Sequence, residues 1–177
     1  MDIRTVKTQK AIKDAFMKLR SEKALEKISV KELCREAQIN KSTFYSHYDD
    51  IYALSDALEK ETVAYILNSI SQNEDYSAEN PETFAREICM ACISHLSLTE
   101  LLFSGQDNNR LAYRLEEGVK ERIYLKYPEY REDVKKNILL SFCIQGAHRA
   151  YLNNRLADTD TLVQTIETII KTLQPLY

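Results

Sequence analysis

Glycine and proline are scarce, with three of each in 177 residues, about 3% together where an average protein carries roughly 12%. So few turn formers argue for long helices and against sandwiches or barrels, which need many Gly/Pro-rich turns. Gly105, Gly118 and Gly146 are far apart in sequence, so no glycine-rich phosphate loop can be assembled from neighbours. No apolar run approaches the ~18 residues of a membrane span, and no signal-type segment follows Met1, so no membrane association and a cytoplasmic location are expected. The four cysteines, Cys34, Cys89, Cys92 and Cys143, are then expected as reduced thiols. The three histidines, His47, His95 and His148, fall in three different segments. With no Ser/His/Asp set, paired carboxylates or cofactor motif in sight, neither an enzyme nor a cofactor is expected.

What is present is charge, unevenly spread. The net charge is −3, yet residues 1–48 hold 11 Lys and Arg against 6 Asp and Glu, while residues 49–177 hold 13 against 21. A head of +5 on a body of −8 suits a head that meets a polyanion. It also suits a lysine-rich solvated face, so motif spacing must decide.

From Thr5 to Arg20, Ile12, Ala15, Phe16 and Leu19 trace one helical stripe. Ser29 followed by Glu32 forms a capping box, which starts a short second helix at Val30 with Val30, Leu33, Cys34 and Ala37 on one side. After Gln38-Ile39, Asn40 caps a third helix reading Lys41-Ser42-Thr43-Phe44-Tyr45-Ser46-His47-Tyr48. Helix, tight turn and helix within about twenty residues is the helix-turn-helix layout, whose second helix enters a major groove. Phe44 is the expected inward anchor, with Lys41, Ser42, Thr43, Tyr45 and His47 outside.

Beyond Asp49 the expected elements are a helix over residues 50–71 (Ile51, Leu54, Leu58, Val63, Tyr65, Ile66, Leu67), a loop over 71–80, and a helix over 81–97 opened by Pro81. Further helices follow over 108–126, 129–153 and after an Asp158 cap. Cys89, Cys92 and His95 at three-residue spacing raise the question of a metal, but no fourth ligand stands at a convincing distance, so no metal site is expected. The Cys-x-x-Cys pair also lacks the strand and helix context of a redox motif. The last two helices are apolar enough either to complete a monomer core or to pair with their copies in a second subunit, where Gly146 and Ala147 permit close approach. The expected fold class is all-α: an N-terminal three-helix domain with a helix-turn-helix over residues 1–48, then a helical bundle for ligand and dimerisation over 49–177.

The stretch Ile12 to Leu54, with Ala15, Leu19, Ser29-Val30-Lys31-Glu32-Leu33, Ala37, Ile39-Asn40-Lys41-Ser42-Thr43-Phe44-Tyr45 and Tyr48, resembles the DNA-binding domain of TetR-type transcriptional regulators. The resemblance covers the first third of the chain; the rest matches in helical length and order. Three positions depart from it. Gln38 stands where the family usually has glycine, and Asp49 and Ile51 stand where lysines are common. The resemblance implies a repressor that binds a palindromic double-stranded DNA operator as a homodimer and is released by a small-molecule inducer. The alternative is a DNA-binding regulator governed by a partner protein or by no inducer. It also implies site residues. Lys41, Ser42, Thr43 and His47 would read base edges; Lys7, Ser29, Tyr45 and Tyr48 would meet phosphates; and Ser46 lies on the same helix. Tyr65, Phe84, Ile88, Cys92, His95, Tyr113 and Phe142 would line a ligand pocket. Leu140, Ile144, Ala147, Tyr151, Ile166 and Ile170 would form the dimer interface.

Overall fold

In the computed structural model, residues 3–70, 80–103 and 110–176 are described, with the side chains of Ile3, Arg4 and Leu176 excepted. They form α1 (Ile3–Glu22), α2 (Val30–Glu36), α3 (Lys41–Tyr45), α4 (Ile51–Ser69), α5 (Pro81–Ser94), α6 (Leu96–Phe103), α7 (Arg110–Lys126), α8 (Val134–Asn154) and α9 (Thr159–Leu173). Short 3-10 turns lie at Leu25–Lys27, Pro128–Arg131 and Gln174–Leu176. Among the described residues there is no strand, and no helix is long and apolar enough to cross a membrane.

The chain divides into two compact units, one of residues 1–62 with 97–108, the other of 63–96 with 109–177. In the first, the expected stripe of α1 is the core: Ile12 and Phe16 are fully buried together with Leu33 of α2, Phe44 of α3 and Leu54 of α4. Each such side chain contributes about 1.5–3 kcal/mol by leaving water. In the second unit α5 lies along α9. Leu162, Val163, Ile166 and Ile170 of α9 and Cys143 of α8 form a cluster that Ala85, Cys89 and Ile93 of α5 cover. Helix α7 turns Leu111, Ala112, Leu115 and Val119 inward. It carries Gly118 where a Cβ would stand 2.5 Å from the Leu67 side chain of α4, so the two helices meet at a residue without a side chain.

Several boundaries differ from the sequence expectation. The helix expected over 81–97 stops at Ser94; His95 caps it, and α6 begins at Leu96. No Gly or Pro marks that break, which is why periodicity ran through it. The helix expected from Glu129 starts at Val134, because the 3-10 turn occupies 128–131 and the Asp133 carboxylate caps α8 by accepting from the Lys136 N–H at 3.1 Å. Asp158 caps α9 as expected, accepting from the N–H and the hydroxyl of Thr161, both at 2.9 Å. The expected loop at 71–79 and the start of the expected helix at Asn108 lie outside the described residues.

Candidate nucleic-acid interface

The helix-turn-helix is built by side chains that close helix ends. Ser29 Oγ accepts from the Glu32 N–H at 3.2 Å. The Glu32 carboxylate accepts from Lys23 Nζ at 2.6 Å. That hydrogen bond, with burial opposing it and the Lys23 charge and the Ser29 N–H assisting, holds its pKa below the usual carboxylate range. Leu33 and Cys34 seat α2 on the core, which leaves Lys31 and Arg35 one helical turn apart on its exposed side.

Helix α2 ends in a Schellman motif. The Gln38 N–H donates to the Arg35 carbonyl at 3.3 Å and the Ile39 N–H donates to the Cys34 carbonyl at 3.0 Å. This closure needs a left-handed residue, and Gln38 supplies it at φ 54°. The departure from glycine noted in the sequence therefore falls on a position where glycine is easiest.

Asn40 then starts α3 with one oxygen serving three donors: the Thr43 N–H at 2.7 Å, Thr43 Oγ at 2.8 Å and Ser42 Oγ at 2.7 Å. Ser42 and Thr43 thus direct their hydroxyl protons to the cap and keep lone pairs for an incoming donor. Helix α3 is shorter than the expected run to Tyr48. It ends at Tyr45 with Ser46 as its cap, and the His47 and Tyr48 N–H groups both donate to the Phe44 carbonyl. Phe44 is fully buried, and the Tyr45 ring meets it edge-on at 5.5 Å. Lys41, Ser42, Tyr45 and Ser46 are exposed; Thr43, His47 and Tyr48 are half-buried. Burial raises the Tyr48 pKa, with the Lys13 charge opposing.

Ion pairing sorts the head's cations. Lys13 pairs with Glu61, Lys18 with Glu36 and Lys23 with Glu32, at 2.5–2.6 Å. Lys7, Lys10, Lys27, Lys31, Arg35 and Lys41 are exposed and form no ion pair among the described residues, although the Arg35 charge acts on Glu32. Lys7 and Lys41 of this set are among the residues expected from the sequence, and Lys31 and Arg35 are not. Their i, i+4 spacing opposite the buried Leu33 face was the signal that could have found them. Asp50 accepts from the Ala53 N–H at 2.7 Å and so caps α4, while Ile51 is buried in the core.

In the second unit the structure brings Tyr65 and His95 together, ring centres 4.9 Å apart. Phe84, Ile88, Cys92 and His95 are half-buried. Tyr65, Tyr113 and Phe142 are 59%, 60% and 64% exposed, so Tyr65 does not lie on the buried stripe of α4 as periodicity suggested. Burial pushes the Cys89 thiol up to about 11 and Cys92 to about 12, which keeps both neutral. Of the expected interface residues, Leu140, Ile166 and Ile170 are buried within one protomer, and Ala147 and Tyr151 pack against the α9 cluster. Ile144 is half-buried. A different row faces outward on α8: Val134, Ile138 and Phe142, followed by Gly146, whose Cα has open space before it. On α9, exposed Thr165, Thr168 and Thr172 each donate to the carbonyl four residues back, around exposed Ile169.

No family model and no curated protein matches the chain. A solved structure does: a transcriptional regulator of the TerR/AcrR family from Aquifex aeolicus VF5, with a TM-score of 0.55 over 94% of this chain and 99% of that one, at 21% identity. The fold is that of a TetR-type regulator. That fold has an N-terminal helix-turn-helix domain and a helical C-terminal domain.

Proposed function

We propose that the protein is a TetR-type DNA-binding transcriptional repressor that acts as a homodimer on a palindromic operator and is released by a small molecule. The observation that carries this reading is the face around α3. A short helix is pinned by fully buried Phe44 and presents Lys41, Ser42, Tyr45 and Ser46 to solvent, beside exposed cations that form no ion pair among the described residues. Such a face does two jobs in one place, since phosphate contacts supply affinity and position while polar groups on a helix in the groove read base edges. Lys41, Ser42, Thr43 and His47 take the base-edge role. Tyr45, Tyr48, Ser29 and Lys7 take phosphates, and we add Lys31 and Arg35 as a phosphate track along α2, the helix that crosses the backbone in this motif. Ser46 Oγ donates to the Thr43 carbonyl and secures the end of α3.

Dimerisation is supported by an uncharged row on the outer side of each of α8 and α9. Val134, Ile138 and Phe142 stand in a single i, i+4, i+8 row, and the threonines of α9 spend their hydroxyl protons on their own helix and turn methyl groups outward. An interface related by two-fold symmetry would set two α3 helices about one DNA turn, ~34 Å, apart. The half-buried apolar side chains Phe84, Ile88 and Cys92, with the Tyr65–His95 pair, suit an apolar ligand that has one or two polar groups.

Selection of bound sequences from a random duplex pool tests the reading, and an inverted repeat is the expected product. Binding to it should weaken steeply with salt. Lys31→Gln and Arg35→Gln should each flatten the log–log salt slope by about 0.9 per subunit without altering the selected sequence. No enrichment at low ionic strength, or a slope indifferent to both changes, would remove the DNA reading or the track respectively.

A further inference from the structure

The serine and threonine hydroxyls of residues 41–46 all commit their protons inside the protein. Asn40 Oδ1 stands 2.7 Å from the Thr43 backbone nitrogen, which can only donate, so this atom is the carbonyl oxygen of the amide and can only accept. Ser42 Oγ at 2.7 Å and Thr43 Oγ1 at 2.8 Å therefore bond to it by donating. Ser46 Oγ donates in the same way to the Thr43 carbonyl at 2.7 Å. Ser42 and Ser46 are exposed, one helical turn apart on the same side of the segment, and Thr43 is half-buried beside Ser42. Lone pairs are what these three hydroxyls offer outward. Lys41, exposed and able only to donate, begins the adjoining row.

A hydroxyl that is free to turn suits either kind of base edge, because it accepts from an amino group as readily as it donates to a carbonyl. Ser42 and Thr43 are not free in that sense. Against an amino edge each keeps its bond to Asn40 and gains another; against a keto edge it must first withdraw its proton from Asn40, so one bond is exchanged for one. The difference is a single net hydrogen bond, about fivefold in affinity. In the major groove the amino groups belong to adenine and cytosine, and the keto oxygens to guanine and thymine. Every base pair carries one of each on opposite strands, so an acceptor-only hydroxyl senses which strand holds the amino base rather than A·T against G·C.

We propose that the Asn40 cap sets the base preference of α3: by holding their protons it makes acceptors of Ser42 and Thr43, so each half-site carries adenine or cytosine, rather than guanine or thymine, on the strand that they face. The proposal rests on the DNA reading above and names the class of sequence that α3 takes. Asn40 is a positioning residue within it and touches no base.

Selection from a random duplex pool with the full-length protein and its variants tests this. With the unmodified protein, one column of each half-site should favour adenine and cytosine over guanine and thymine by about fivefold, and Ser42→Ala should abolish the preference in that column alone. Asn40→Gly, which removes the acceptor at little cost to the helix, keeps both hydroxyls and should bring the ratio below about twofold. Asn40→Asp, which still accepts, should restore it. Replacing an adenine of that column with 2′-deoxynebularine, which has hydrogen in place of the amino group, should weaken binding of the unmodified protein about fivefold and that of Ser42→Ala not at all. If Asn40→Gly does not fold, as read by circular dichroism, the Ser42→Ala and nebularine measurements decide. With an inverted repeat selected, a Ser42-dependent column that favours guanine or thymine, a preference that survives in folded Asn40→Gly, or equal nebularine losses in both proteins overturns the proposal and leaves the DNA reading standing. No enrichment of any duplex by the unmodified protein removes the DNA reading, and the proposal with it.

Discussion

Replacing Gln38 with glycine should stabilise the head, and the geometry sets the size of the effect. Gln38 closes α2 at φ 54°. For an L-residue with a Cβ the left-handed region costs roughly 1–2 kcal/mol. Glycine removes that cost but loses about 0.5–1 kcal/mol through its freer unfolded chain. The net gain is roughly 0.5–1 kcal/mol, which corresponds to about 1–4 °C in the melting temperature of a chain this long. Both hydrogen bonds of the closure come from backbone N–H groups, so glycine keeps them. Thermal unfolding followed by circular dichroism, with amide exchange at Leu33 and Phe44 as a local probe of the head, measures the change. Asparagine, which tolerates this region, should fall between glutamine and glycine, and isoleucine should destabilise more than any of them. If Gln38→Gly lowers stability, or isoleucine equals glutamine, the backbone of this turn is not strained and the argument fails.

Phe142→Asp should break the proposed homodimer. Losing about 1.5–3 kcal/mol of apolar burial at each of two symmetry-related positions raises the dissociation constant at least a hundredfold, as read by sedimentation. The same change at exposed Leu125 should leave assembly intact, and an undisturbed Phe142→Asp dimer would put the interface elsewhere. Glu116 gives a pH-dependent test. Burial works to raise its pKa, but hydrogen bonds from Lys120, Ser141 and Gln145 outweigh it and hold the carboxyl below its ordinary value. The stabilisation from that lowered pKa is therefore fully present above the unfolded pKa, near 4.3, and is lost as pH falls through the lower folded value. Glu116→Gln should be less stable at pH 7, with the deficit shrinking below about pH 4; a deficit unchanged down to pH 3 would contradict this assignment.

What could be read in the sequence follows from how local each cause is. Ser29, Asn40 and Asp158 cap helices through atoms within three residues, so short-range chemistry was enough to place those ends, and Gln38 stood out because its neighbours require one turn. The break at His95 has no such signal. The helix that follows it is tied by Leu101 to Arg20, eighty-one positions away in the sequence. Side-chain direction on long helices was the weakest inference. Tyr65 stands seven residues after Leu58 and fourteen after Ile51 and shares their stripe by count, yet it faces out while they face in. On α8, Leu140 and Cys143 are taken up by the protomer's own core. The row left over, Val134, Ile138 and Phe142, is separable from them only when it is known where α9 lies. The sorting of lysines into paired and unpaired sets was hidden for the same reason, since Glu61 answers Lys13 across 48 positions.

Asn40 is uncharged, and that has a consequence for how firmly α3 can be held. An aspartate there would accept the same three donors and would bind the positive end of α3 more tightly. It would also set a carboxylate beside Ser42 and Lys41, on the side where the proposed DNA reading brings a phosphate. A neutral amide gives up some of that hold and, on that reading, leaves the docking face without a repulsive charge, so the head is folded less firmly than its own cap position would permit.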